Sequence, residues 1–349
     1  MKTKLFFILA IVLLCSTVKA QNRPSIPARD RTRLAEAFRL DQAIGDRIWA
    51  GWSKVPFAVL LVTPDLEFLM RHPQPSADFT LLGYDRELKC NVFFRKRTFP
   101  THLLATAPFI QGSSYSTIVV GQAENTEAQT STPWVITLFH EHFHQLQNVQ
   151  PAYFPDVNAL NLAGGDKTGM WMLNYAFPYD KADLEGRFSE LGRLLAEAIN
   201  ARTDSDRGAK LAAYLTARQQ FQDSLSPADL KYLSFQFWQE GIARYTEYLV
   251  AKFAAEHYRP RQEFRSLKDY VSFQEHANAV RSRIITQIQT QKLSSSKRVV
   301  VYPFGAGEGL LLDAVRPSWH DRYFVDKFDL RKYYPDALPH ETGSAHLQL

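Results

Sequence analysis

Cysteine is scarce: Cys15 and Cys90 are the only two in 349 residues. Cys15 sits in an N-terminal segment that reads as removable, so a single thiol remains and no internal disulfide can form. With Val92, Phe93 and Phe94 close by, Cys90 reads as a buried strand residue rather than a nucleophile. Long apolar runs are equally rare. Leu5 to Leu14 is a run of ten, too short to span a bilayer as a permanent helix. Lys2 and Lys4 precede it and Val18-Lys19-Ala20 follows, the layout of an export signal over residues 1–20. Cys15 follows Leu14, where a lipoprotein anchor would want a small residue, so no stable membrane anchor is expected. The chain is expected to be cleaved near Ala20 and secreted, to the periplasm or beyond the cell.

Neither sign of charge dominates. Lys2, Lys4 and Lys19 leave with the signal, so 38 basic residues face 36 acidic ones, a balance of +2. That near-neutrality leaves no nucleic-acid footprint. Internal repeats and low-complexity tracts are absent too. About 330 residues remain, enough for one large domain or two modest ones.

What is present divides along the chain. Residues 21–50 read as a leader with two prolines and a short amphipathic helix, in which Leu34, Ala37, Phe38, Ile44 and Ile48 fall near helical spacing. Residues 51–132 are β-rich. Phe57 to Val62, Glu67 to Met70, Lys89 to Arg95 and Thr117 to Val120 carry branched and aromatic residues. Thr63-Pro64-Asp65 and Leu82-Gly83-Tyr84-Asp85 read as the turns between them. Residues 133–349 are mainly helical. Leu184, Phe188, Leu191, Leu195 and Ile199 form an apolar stripe. Ser226-Pro227-Ala228-Asp229 and Ser266-Leu267-Lys268-Asp269 read as capped helix starts. Ser294 to Ser296 reads as a loop, followed by a short strand from Arg298 to Tyr302. This order predicts an α+β fold.

The chemistry-bearing segment is His140-Glu141-His142-Phe143-His144, which fits H-E-x-x-H. A helix turns about 100° per residue, so His140 and His144 lie about 40° apart, one turn apart on one face. Both imidazoles can reach one zinc ion, and Glu141 is placed to take a proton from a water that the metal activates. His142 points about 200° away from His140 and is not a ligand. The apolar stretch Trp134 to Phe139 is the helix that a buried site needs. A catalytic zinc wants a third protein ligand, and Gln145 to Pro151 supplies neither the glycine nor the histidine of a metzincin.

The best candidate lies far downstream. Phe237-Trp238-Gln239-Glu240-Gly241-Ile242-Ala243-Arg244-Tyr245-Thr246-Glu247 resembles the second zinc motif, W-x-N-E-G-F-A-x-Y-x-E, of gluzincin peptidases of the aminopeptidase N and leukotriene A4 hydrolase type. The resemblance implies a zincin-like peptidase domain that acts on a peptide or protein. It makes Glu240 the third zinc ligand and Glu247 the carboxylate that orients a ligand histidine. Gln239 replaces the family's Asn and Ile242 its Phe. Ninety-six positions separate His144 from Glu240, far more than in that family, so residues from about 150 to 225 must be an insertion. Tyr302-Pro303-Phe304-Gly305 is similar to the family's Y-x-K-G and implies that Tyr302 stabilises an oxyanion. Gly121-Gln122-Ala123-Glu124-Asn125 resembles G-x-M-E-N, which would make Glu124 an anchor for a substrate's free amine.

Other segments carry less. Ala163 to Gly169 has the wrong glycine spacing for a phosphate loop and reads as a turn. Trp171, Tyr175, Phe177 and Tyr179 suit packing within the insertion. The competing functional classes are a non-catalytic zinc module and a zinc hydrolase of a non-peptide substrate. Glu141 argues against the first, because a structural site needs no base and closes with four ligands. Oligomeric state is not legible.

Overall fold

The computed structural model describes residues 24–334. The expected export segment, residues 1–20, lies outside them. The fold is α+β. Helix α1 (Ala28–Ile44) leads into a six-stranded mixed sheet: β1 (Val59–Val62), β2 (Leu66–Met70), β3 (Thr80–Asp85), β4 (Cys90–Lys96), β5 (Leu104–Ala107) and β6 (Thr117–Gly121). Their order is β3-β4-β2-β1-β6-β5. Only β1 and β6 run parallel. β1 and β6 are wholly buried because both faces of the sheet are covered. Val59, Leu61, Ile118 and Val120 face the helices, whereas Leu60, Val62 and Val119 join Leu69, Phe79 and Ile110 on the other face.

Helix α2 (Ser131–Asn148) lies against the sheet and is tied to it near both ends. Trp134 Nε1 donates to the Gly121 carbonyl at 3.0 Å. Gln145 Nε2 donates to the carbonyls of Ala58 at 3.1 Å and Ser116 at 2.8 Å. The expected insertion supplies α3 (Tyr153–Ala159), α4 (Trp171–Asn174), α5 (Ala182–Ile199) and α6 (Asp204–Asp223). There α5 buries the stripe Leu184, Phe188, Leu191 and Leu195. α7 (Pro227–Gln236) runs through a π-helical turn, Phe237–Gly241, into α8 (Ile242–His257). α9 (Gln262–Arg265), α10 (Phe273–Thr290), α11 (Leu293–Ser296) and α12 (Val301–Val315) complete the helical part. One contiguous apolar core joins the sheet to α2, α8 and α12. No helix among the described residues is long and apolar enough to cross a membrane.

Ser226 caps α7 as expected, accepting from the Asp229 amide at 3.1 Å. Trp171 stacks on Phe235 and Tyr175 on Tyr232, so these aromatics pack the insertion onto α7. Four readings need correction. Leu82 to Asp85 is not a turn but most of β3, whose register shifts between Leu81 and Gly83; Gly83 has φ 131°. Such a bulge breaks the alternation by which a strand is read. Ser266 caps no helix: it follows α9, and the capping serine is Ser272, which accepts from the Glu275 amide at 3.2 Å. Ser294 to Ser296 is the short helix α11 rather than a loop. Arg298 to Tyr302 is not a strand: Lys297–Val300 is a 3-10 turn and Tyr302 lies in the first turn of α12. β5 had no sequence signal, since Leu104-Ala105-Thr106-Ala107 is poor in branched apolar side chains.

Candidate metal centre

His140 and His144 project from one face of α2, one turn apart, and both are buried. Their Nε2 atoms lie 3.2 Å from each other. Glu240 Oε2 lies 3.5 Å from His140 Nε2 and 3.3 Å from His144 Nε2. Bonds of about 2.0–2.1 Å at tetrahedral angles set donor atoms about 3.3–3.4 Å apart. The three separations therefore have the dimensions of one face of a zinc-sized tetrahedron. Two nitrogens and a carboxylate oxygen are also a donor set that suits zinc.

The surrounding hydrogen bonds decide what those nitrogens offer. His140 Nδ1 lies 2.8 Å from Glu247 Oε1, and a carboxylate only accepts, so Nδ1 carries the proton. His144 Nδ1 lies 2.7 Å from Gln147 Oε1. The Gln147 amide is oriented by its own donations, from Nε2 to the Gln239 carbonyl at 3.2 Å and to Tyr323 Oη at 2.8 Å. Tyr323 in turn donates to the Trp238 carbonyl at 2.6 Å. Gln147 Oε1 must then accept, and His144 Nδ1 must donate. Both Nε2 lone pairs are thus turned on the same point as the Glu240 carboxylate, and a positive charge is what such a point attracts. A proton feels the same pull. Burial would lower His140, but its bonds to Glu240 and Glu247 outweigh this and push it up to about 10.

Glu240 arrives from the π-helical turn, a feature that recurs at functional sites because it re-aims one side chain. The turn packs on α12 with no room to spare. A Cβ on Gly241 would come within 2.4 Å of Gly305 Cα, and one on Gly305 within 2.5 Å of the Phe237 carbonyl. This crossing sets Glu240 beside the start of α12. Arg298 Nη2 then donates to Glu240 Oε1 at 2.7 Å, which leaves Oε2 for the imidazoles. Arg298 Nη1 donates to Tyr302 Oη at 2.9 Å, and its Nε to Gln236 Oε1 at 3.0 Å. Burial alone would raise the Glu240 carboxyl, but the histidines and Arg298 hold it well below the usual carboxylate range. Glu247 is likewise kept anionic against burial, by Arg244 at 3.0 Å and by His140.

Glu141 is buried beside the two histidines. Thr106 Oγ1, from β5, donates to its Oε2 at 2.6 Å; Oε1 has no hydrogen-bond partner among the described residues. Tyr302 is close, its ring centre 6.1 Å from that of His140. His142 points elsewhere, as expected, and stacks on Phe57 with ring centres 4.1 Å apart.

Glu124 is not brought to this cluster. It binds Arg29 and the wholly buried Arg33, which also bonds Ser131 in the first turn of α2, more than two turns before His140. Arg298, Gln147, Thr106, Arg244 and Tyr323 are site residues that the sequence reading missed. Gln147 and Arg244 had a local signal, Gln147 three residues after His144 and Arg244 three before Glu247, each on the same helix side as its partner. Comparison with known protein families, characterised proteins and solved structures finds no match.

Proposed function

We propose that this protein is a zinc-dependent peptidase in which His140, His144 and Glu240 hold the ion and Glu141 is the general base. The observation that carries this reading is the tetrahedral spacing of three acceptor atoms whose lone pairs are aimed by fixed neighbours. A zinc ion held there would supply a Lewis acid for a carbonyl and for water. The chain's own residues supply the rest. Glu141, held through Oε2 by Thr106, keeps Oε1 to accept a proton from water and pass it to a leaving amine. Tyr302 accepts from Arg298, so its own hydroxyl proton is free to be donated to a developing oxyanion. Glu247 and Gln147 keep both imidazoles in the ligating tautomer.

A peptide is the favoured substrate because of the sheet. β5 lies at its edge, paired among the described residues with β6 alone, and carries Thr106 next to the base. An extended peptide can add to such an edge through main-chain hydrogen bonds, which would bring its carbonyls past Glu141. The motif resemblance to gluzincins points the same way, as does the export signal expected at residues 1–20.

The test is zinc analysis of the purified protein together with digestion of a peptide library by wild type and Glu141→Gln. One zinc per chain in both proteins, with turnover only in the wild type, is expected. Undiminished turnover in Glu141→Gln would remove the proposed base.

A further inference from the structure

A second constellation shares no residue with the metal centre. A cleft of about 770 Å³ opens between α1, the β3–β4 turn and the segment 259–263. That volume is typical of ligand sites, which run from about 300 to 1,000 Å³. Buried Ala35, Phe38 and Leu88 back it, with Pro260 at one side. Its charged lining is seven arginines and lysines against Glu87 and Glu263.

Three of the cations stiffen the walls. Arg31 on α1 and Arg261 on the opposite wall both reach Glu87, at 3.3 and 3.1 Å, and Arg31 also holds Asp85 at 2.7 Å. Arg71 lies over the Phe38 ring, 3.8 Å from its centre, with Asp41 3.7 Å away. The other four are exposed and lack a carboxylate at salt-bridge distance among the described residues. Arg39 donates only to Tyr258 Oη at 3.4 Å and the Arg259 carbonyl at 3.2 Å. Arg86, Lys89 and Arg259 have no side-chain partner among the described residues. Exposed arginines are ordinarily solvated singly. Here they line one cleft from three separate stretches of chain, where an anion between them would relieve their mutual repulsion. Guanidinium forks match the oxygens of phosphate and sulfate in pairs.

We propose that this cleft binds a compact polyanion carrying two or more phosphate or sulfate groups. Arg39, Arg86, Lys89 and Arg259 hold the anionic groups. The cations line three sides of an open cleft, which suits a small molecule or a short oligomer. The inference is independent of the metal centre.

Titration calorimetry of the full chain with inorganic phosphate, tripolyphosphate and a sulfated hexasaccharide tests it, at low and at physiological salt. At least one of the two polyanions should bind one to one, at least about tenfold more tightly than phosphate, and weaken as salt screens the charges. The triple variant R39Q/R86Q/R259Q should lose about tenfold or more of that affinity, with its melting temperature and peptide hydrolysis unchanged. Glu240→Gln should bind the polyanion like wild type, which separates this cleft from a ligand on the metal. Affinity retained in the triple variant would overturn the assignment, as would the absence of saturable binding. Binding to phosphatidylserine vesicles but to neither polyanion would overturn it too, and would make this face a membrane contact.

Discussion

Helix α2 carries a buried polar cluster at each end, and the two are closed in different ways. At its start, Arg33 sits between three carboxylates and a serine. Its five N–H donors meet Ser131, Asp30, Glu124 (twice) and Asp269 at 2.9–3.1 Å, so every donor is used. The chain supplies the cation for its own acceptors, and the cluster binds α1 and the start of α2 to the segment before α10. At the other end, His140, His144 and Glu240 present three acceptor atoms to one another, and Arg298 reaches only the outer oxygen of Glu240. Both clusters gather acidic and basic side chains from several elements around one helix. What separates them is whether the acceptors are saturated from within: the first arrangement holds the fold, and the second, on the proposed reading, takes its cation from outside.

The comparison breaks first at Arg33. Arg33→Met leaves Asp30, Glu124 and Asp269 without their shared cation, and losing one partner of a buried ion pair costs about 3–5 kcal/mol. For a chain of this size about 1 kcal/mol is roughly 2–4 °C in melting temperature. The expected result is a melting temperature lower by about 10 °C, with zinc content and turnover per folded molecule unchanged. Loss of zinc with an unchanged melting point would reverse the roles assigned to the two ends.

Tyr302→Phe addresses the other end. Removing one oxyanion donor costs about 10²–10³ in kcat, roughly 3–4 kcal/mol in the barrier. Zinc content should be retained, because Glu240 keeps its bond to Arg298. A variant with normal kcat would return Tyr302 to packing.

Gln147→Leu is a smaller change. It removes the acceptor that fixes the His144 tautomer, and losses of this kind cost about 10–100-fold in metal affinity. Competition with a chelator measures it. An unchanged affinity would mean that His144 finds its tautomer without help.

These site residues were unequally legible. His140, Glu141 and His144 follow from helical geometry alone, and Glu240 and Glu247 from seven-residue spacing plus a motif resemblance. The structure brings all five together although ninety-six positions separate His144 from Glu240. Tyr302 was placed near the chemistry but in the wrong local structure. Arg298-Val299-Val300-Val301-Tyr302 is rich in branched residues and reads as a strand, yet the contact of Gly305 with Gly241 makes the segment part of a helix crossing. Arg298 and Thr106 were invisible for another reason: nothing within a few residues of either identifies Glu240 or Glu141 as its partner. The sheet was read from its apolar strands, whereas β3 and β5, the two edges, lack that signal.

The smallest effect is expected at Glu124, which the motif resemblance made an amine anchor and the fold assigns to the Arg33 cluster. Hydrogen bonds from Arg33, working against partial burial, lower its carboxyl to about 2 from an ordinary value of 4.5. A depressed folded value means that the carboxylate's contribution to stability is fully present above pH 4.5 and is lost as pH falls through 2. The side chain is 43% exposed, so solvent screens the pair and the contribution is under about 1 kcal/mol. Glu124→Gln should therefore melt slightly below wild type at pH 7, and the gap should shrink between pH 4.5 and 2. The same variant decides the amine question. An amine anchor loses its charge-assisted bond on substitution, so the preference for free over acetylated peptides would fall with it. A carboxylate already engaged by Arg29 and Arg33 makes no such contact, and wild type and variant should cut free and acetylated peptides at one common ratio. A ratio that drops in the variant, with a stability gap that ignores pH, would move Glu124 from the structural end of α2 to the substrate.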